Sequence, residues 1–138
     1  MMARHVVANT SEIEAGGRKL VDVAGRMIVV FNIGGEFFAL ANRCPHKGGE
    51  LCKGKISGFV SSPEPGVYNY THQGEVIRCP WHGWEFHIRT GKSWCDPRTM
   101  NARAYDVTVE KGSALLEEAY IAETFTVLVE DDYLIIDI

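Results

Sequence analysis

The sequence lacks four features that would each indicate a location or a class of function. No apolar run approaches the length of a membrane span, and no charged-then-apolar segment of the secretory kind opens the chain. A twin-arginine leader is also absent. Positive charge is not in excess, since 14 Lys and Arg face 18 Asp and Glu for a net charge of −4. We therefore expect a cytoplasmic protein that binds neither membranes nor nucleic acid.

Cysteine is scarce, and disulfide bonds are not expected without a secretory signal. Of four cysteines, Cys44 and Cys79 each stand close to a histidine, whereas Cys52 and Cys95 do not and are interpreted as ordinary thiols. The chain has 138 residues, of which 46% are hydrophobic and 23% charged. These values predict one soluble globular domain with a substantial core.

Two short stretches combine a thiol with an imidazole: Cys44-Pro45-His46 and Cys79-Pro80-Trp81-His82. Glycines beside them, Gly48, Gly49 and Gly83, allow each loop to close tightly and turn its N–H groups toward an anionic centre. Two sulfur and two nitrogen ligands suit a tetrahedral zinc ion. They equally suit a [2Fe–2S] cluster in which two His replace two Cys on one iron. The ligand set alone leaves both open.

The residues around these ligands closely resemble the two ligand boxes of Rieske iron–sulfur proteins, over 44–49 and 79–86. The resemblance implies one Rieske-type [2Fe–2S] cluster, with Cys44 and Cys79 on one iron and His46 and His82 on the other. It also implies that further residues surround the cluster or its ligands: Lys47, Gly48, Trp81, Gly83 and Trp84. None of these residues is expected to be catalytic.

The pattern of short β-branched runs and turn residues predicts an all-β fold. The resemblance implies the Rieske fold of the iron–sulfur protein type, with an antiparallel β-sandwich base. We expect residues 1–138 to form a single Rieske domain. Its cluster-binding subdomain, about 42–98, is inserted in a base formed by 1–41 and 99–138.

Local patterns predict the individual elements. A meander over 4–41 is expected to lead to Cys44, with Gly34-Gly35 as a hairpin turn. Between the boxes, 57–74 is longer than in most Rieske proteins and predicts a turn-rich loop with a short paired excursion. Residues 113–122 have local helical character, and 124–130 with 133–138 predict a terminal hairpin.

The resemblance also indicates a reduction potential. High-potential Rieske proteins of cytochrome bc complexes join the two loops by a disulfide and place Ser and Tyr hydroxyls near the cluster. Here the disulfide positions hold Gly49 and Trp81, and the hydroxyl positions hold Trp84 and Phe86. Without these groups the reduced cluster is less stabilised, so we predict the low end of the family range, about −150 to 0 mV. His87 stands where many Rieske proteins carry an acidic residue.

Two functions are compatible with these features. The first is a Rieske ferredoxin, a one-electron carrier between a flavin-dependent reductase and a terminal oxygenase such as a ring-hydroxylating dioxygenase. The second is a tightly bound small subunit of a multicomponent oxygenase or of a nitrite-reductase-type oxidoreductase. A third interpretation is a binding or sensing module in which the cluster or a zinc ion is structural. In the first two cases the chain is a component of an oxidoreductase system and is expected to have no activity alone.

Overall fold

Antiparallel strands make up nearly all regular structure of the described residues, which are 4–45, 48–81, 83–94, 96–115, 128 and 130–138 of a computed structural model. Side chains of 59–61, 63, 70 and 72 are not described. The strands are β1 (Arg4–Asn9), β2 (Arg18–Val23), β3 (Arg26–Ile33), β4 (Glu36–Ala41), β5 (Lys55–Glu64), β6 (Val67–Arg78), β7 (Glu85–His87), β8 (Ala104–Tyr105), β9 (Val107–Lys111) and β10 (Asp132–Asp137). Two 3₁₀ turns, Thr10–Glu12 and Leu51–Lys53, and the short helix α1, Gly112–Leu115, complete the set. The prediction of an all-β chain is confirmed.

Strands β2, β3 and β4 form the predicted meander, in a sheet of order β2-β3-β4-β8. Gly34 and Gly35 connect β3 to β4 with φ of 58° and 95°, values that favour glycine and match a tight hairpin turn. The meander prediction was wrong for β1. This strand pairs with β10 in a second sheet of order β1-β10-β9.

Strand β10 is the centre of that second sheet, which corrects the predicted terminal hairpin. Its residues pair with β9 on one edge and with β1 on the other. Because both edges are filled, pairing of β10 with 124–130 was wrong. Residues 124–127 and 129 themselves lie outside the described residues, as do 116–122 of the predicted helix, of which α1 covers the start.

The strand β10 is apolar on both faces because it is buried on both. Leu134 and Ile136 belong to a core shared by the two sheets, to which β1, β2, β3 and β4 also contribute buried side chains. Tyr133 and Ile135 point the other way and pack with Leu115 of α1. Two antiparallel sheets facing one core form the predicted sandwich base.

The third sheet, of order β5-β6-β7, carries the segment between the ligand boxes. The predicted loop is mostly a long hairpin, in which β5 and β6 pair from Lys55 with Arg78 out to Glu64 with Val67. Only the end of β6 from Val76 to Arg78 also pairs with β7. The outer part of the hairpin is therefore a two-stranded arm. Its tip is exposed, with Val67 at 43% and Tyr68 at 72% accessibility.

The chain divides into two compact units. One comprises Met1–Ala39 with Tyr105–Ile138 and holds the sandwich core; the other is Leu40–Ala104 and holds both ligand boxes. The assignment of 42–98 as an inserted subdomain of a single domain stays a prediction. No described helix has the length and apolar character needed to cross a membrane.

We predict that the arm tip contributes little to the site. Replacing residues 61–69 by Asn-Gly closes the hairpin directly at the Val60–Tyr70 pair with a favoured two-residue turn. The thermal midpoint should move by less than about 4 °C, the shift that roughly 1 kcal/mol gives in a domain of this size. Calorimetry measures the thermal midpoint, and visible absorbance of the iron-loaded protein measures whether the metal is retained. Loss of bound iron in this variant would contradict the prediction.

Candidate metal centre

The second ligand box is the loop of the β6–β7 hairpin. Arg78 and Glu85 form the last pair of the two strands, and 79–84 connect them. The N–H of Cys79 donates to the carbonyl of Trp84 at 2.7 Å, which closes the loop at its base. Within it, Cys79 is buried at 1% accessibility, whereas Trp81 is 56% exposed. The loop therefore holds its thiol inward and its tip toward solvent.

The first ligand box is a tight turn that follows β4. The Gly48 N–H donates to the Cys44 carbonyl, and the Cys44 N–H donates to the Gly49 carbonyl, both at 2.8 Å. Cys44 is buried at 1% accessibility. Asn42, also buried, accepts a 2.7 Å hydrogen bond from the N–H of Cys52. Both flanks of the turn are thus fixed, and the Cys44 thiol points inward.

The two loops meet at Gly49. A Cβ at this position would lie 2.7 Å from Cys79 Sγ, closer than such contacts allow, and 3.2 Å from Trp81 Cβ, which is a tight contact. Only a glycine lets the backbone of the first loop approach the thiol of the second this closely. Cys44 and Cys79 are both free thiols and are not joined by a disulfide.

The electrostatics at Cys79 agree with two thiols side by side. Burial raises the pKa of the Cys79 thiol, and the neighbouring Cys44 thiol raises this pKa further, while the Trp81 N–H partly offsets both effects. The raised pKa favours the protonated form of Cys79, and metal binding must displace that proton, since the thiolate is the ligand form. Two adjacent buried thiols fit the pair of sulfur ligands that one iron of the cluster requires.

Each loop also carries an arginine that the sequence analysis missed. A Cβ on Gly48 would lie 3.4 Å from Arg43 Nε, and a Cβ on Gly83 would lie 3.0 Å from Arg78 Nε. Both glycines have positive φ, of 80° and 69°. The signal was present in the sequence, because both boxes read Arg-Cys-Pro-x-x-Gly. In both loops the guanidinium lies against the glycine that turns the chain.

A second missed residue is Gly54. A Cβ there would lie 2.1 Å from the carbonyl oxygen of Arg78, the residue that precedes Cys79. Its φ of −76° is ordinary, so the requirement for glycine is close packing rather than backbone conformation. No local sequence signal indicates this contact, because Gly54 and Arg78 are distant in the chain.

The remaining predicted residues divide into two groups. Gly48, Gly83 and Trp84 are half-buried within the loops. His46, Lys47 and His82 lie outside the described residues, which contain no group of three potential metal ligands. The assignment of the four ligands therefore stays a prediction, supported by the thiol pair and by the donor chemistry of the two histidines in the same loops.

We predict that Gly49→Ala lowers iron content by about half or more, because the new methyl group displaces Cys79 Sγ or Trp81. Iron and sulfide analysis of the purified protein measures the effect.

Gly74→Ala is the matched control. A Cβ there meets nothing within 4 Å, but φ is 77°. This variant should lose about 1 kcal/mol of unfolding free energy through backbone strain and keep its iron. Equal iron content in both variants would contradict the role assigned to Gly49.

Comparisons with known proteins agree with this geometry. Residues 3–106 match the family model described as the Rieske [2Fe-2S] domain. The 3-phenylpropionate/cinnamic acid dioxygenase ferredoxin subunit of Escherichia coli (strain K12) is 28% identical over 116 residues, which cover 84% of this chain and 94% of that protein.

Two solved structures are similar. The ferredoxin of carbazole 1,9a-dioxygenase from Nocardioides aromaticivorans IC177 is 28% identical with a TM-score of 0.60, covering 78% of this chain and 90% of that chain. A chain in the complex of reduced oxygenase and oxidized ferredoxin in carbazole 1,9a-dioxygenase is 25% identical with a TM-score of 0.57, covering 76% and 83%. These matches confirm the predicted Rieske fold and the [2Fe–2S] cofactor. The chain belongs to the Rieske [2Fe–2S] domain family.

Proposed function

We propose that the protein is a one-electron carrier, a Rieske ferredoxin that passes electrons from a flavin-dependent reductase to a terminal oxygenase. The observation that carries this proposal is the pair of buried thiols, Cys44 and Cys79, which two loops bring together at Gly49. The similar proteins named as dioxygenase ferredoxins, and the similar chain in an oxygenase–ferredoxin complex, support the direction of transfer.

In this function the polypeptide holds the cluster, shields it from water and presents it at the protein surface. Cys44 and Cys79 would hold one iron, and His46 and His82 the other. The cluster supplies the one-electron redox change, while the protein positions it and excludes water. Burial of both thiols keeps solvent from the sulfur ligands. The exposed Pro45 and Trp81 place the tips of both loops at the surface, where an electron can leave.

The ligand set favours a neutral oxidised state. Two ferric ions, two sulfides and two thiolates sum to zero charge, so reduction adds a single negative charge. Four thiolates would leave the oxidised centre doubly negative and disfavour reduction. The residues at the disulfide and hydroxyl positions are Gly49, Trp81, Trp84 and Phe86. We therefore place the potential at about −150 to 0 mV, the range for accepting electrons from a flavin-dependent reductase and passing them to an oxygenase.

Contact with redox proteins is expected at the loop tips, formed by Lys47, Trp81 and the two histidines. Electron-transfer encounters are small and transient, and one exposed aromatic ring with nearby charge suffices for them. Trp81 supplies that ring. We place the protein in the cytoplasm and expect it to transform no organic substrate by itself.

The dithionite-reduced protein should give the rhombic EPR spectrum of a Rieske cluster, with two irons and two sulfides per chain. A redox titration followed by EPR should then give a one-electron midpoint in the range of about −150 to 0 mV. A zinc-containing, EPR-silent protein without sulfide would overturn the electron-carrier proposal.

Gel filtration of the protein expressed with its reductase and oxygenase genes distinguishes a free carrier from a fixed subunit. A ferredoxin should elute as a separate species at micromolar concentration, because transient electron-transfer contacts are weak. Stable co-elution with an oxidoreductase would favour the small-subunit alternative.

A further inference from the structure

Charge is distributed very unevenly along this acidic chain. The unit that holds the ligand loops, Leu40–Ala104, contains nine Lys and Arg against five Asp and Glu, a net charge of +4. The other unit contains five against thirteen, a net charge of −8. The part of the protein that carries the cluster is therefore basic, although the whole protein has a net charge of −4.

Three of these cations line one groove beside the metal centre. The groove has a volume of about 340 Å³, and its lining comprises Lys53, Gly54, Lys55, Arg78, Cys79, Pro80 and Gly83. Cys79 therefore lines the same groove as the three cations. Lys53, Lys55 and Arg78 are all exposed residues, so their charges face solvent.

Two of the cations are direct neighbours. Lys55 of β5 and Arg78 of β6 are paired across the two strands, so their side chains leave the same face of the sheet. Like charges placed directly opposite each other destabilise a strand pair. The stability of the fold therefore does not explain why residue 55 is a lysine, whereas binding of an external ligand of opposite charge would explain it.

Internal compensation of this charge is weak. Among the described residues, Glu50 is the carboxylate within ion-pair distance of a groove cation, with Oε2 2.7 Å from Lys53 Nζ. Both side chains are more than half exposed, at 69% and 51% accessibility, so this ion pair is largely screened by water. Glu85 is the strand partner of Arg78 across β6 and β7, but the described ion pairs do not include these two residues. A net positive potential remains at the groove.

We propose that this basic groove, lined by Lys53, Lys55 and Arg78, docks a carboxylate-rich face of the redox protein that exchanges electrons with the cluster. This inference rests on the proposed function and specifies the chemistry of its contact surface. Local positive charge beside the redox centre raises the rate of productive encounter with an anionic surface by about 10-fold to 1,000-fold at low salt. The groove, rather than the net charge of the whole chain, then determines which partner approaches.

Electron transfer to two small oxidants of opposite charge tests the sign of this local field. The reduced protein gives one electron to ferricyanide, forming ferrocyanide, or to hexaammineruthenium(III), forming its ruthenium(II) ion. Stopped-flow rates are measured as the ionic strength is raised from about 0.01 M to 0.5 M, over which the screening length falls from about 30 Å to a few ångström. The ferricyanide rate should fall at least about threefold with added salt, and the ruthenium rate should rise or stay constant.

The opposite pattern would overturn the proposal. If the net charge of −4 governs encounter, ferricyanide should be repelled at low salt and should react faster as salt is added. This result differs from failure of the proposed function, in which the reduced protein shows no Rieske EPR signal and transfers no electron to either oxidant.

Lys55→Gln is the diagnostic variant, because Arg78 also packs on Gly83. It should lower the low-salt ferricyanide rate about twofold to threefold, with unchanged EPR spectrum. Lys111→Gln on β9 is the matched control, since it changes the net charge equally at an exposed strand position outside the groove. Equal effects of the two substitutions would contradict a local groove.

Deca-L-glutamate serves as the carboxylate probe. In the wild type it should slow ferricyanide oxidation by occupying the groove, and Lys55→Gln should weaken that inhibition. Inhibition of equal strength in both proteins, or none in the wild type, would contradict docking of a carboxylate-rich surface.

Discussion

The approach of one loop backbone to the thiol of the other is the contact that brings the two predicted sulfur ligands together. Gly49 has no room for a Cβ, because Cys79 Sγ would lie 2.7 Å away. Each loop is first closed by its own hydrogen bonds, from Cys44 to Gly49 and from Cys79 to Trp84. The two closed loops meet at Gly49, where the backbone of the first loop lies against the Cys79 thiol of the second.

Burial of these thiols sets a condition on the cofactor. The pKa of Cys79 is raised by burial and by the adjacent Cys44 thiol, so the polypeptide alone disfavours the Cys79 thiolate. A centre that neutralises two thiolate charges when oxidised suits this buried pair, whereas a doubly negative centre would be costly to bury. The number of thiolate ligands, their burial and the neutral charge of the oxidised centre are therefore consistent with one another.

The sequence predicted local features well and long-range pairing poorly. The meander of β2, β3 and β4 follows from neighbouring strands and tight turns, and the ligand boxes carry their own signal. The pairing of β10 could not be predicted, because an apolar run such as Tyr133–Ile136 is compatible with a terminal hairpin or a central strand. The choice between these two arrangements depends on β1 and β9, which pair with the two edges of β10 and are distant from it in the sequence. Gly54 was missed for the same reason, whereas the two Arg-Cys-Pro-x-x-Gly stretches were visible and overlooked.

The basic groove links docking to the redox chemistry of the cluster. Positive charge at Lys55 and Arg78 stabilises the reduced state, which carries one negative charge more than the oxidised state. A carboxylate-rich surface that docks there would neutralise this charge and exclude water, which strengthens the remaining electrostatic interactions. The reduced state then loses part of its stabilisation at the moment of contact. Docking of a carboxylate-rich electron acceptor at the groove would therefore favour release of the electron, while the same cations favour the reduced state of the free protein.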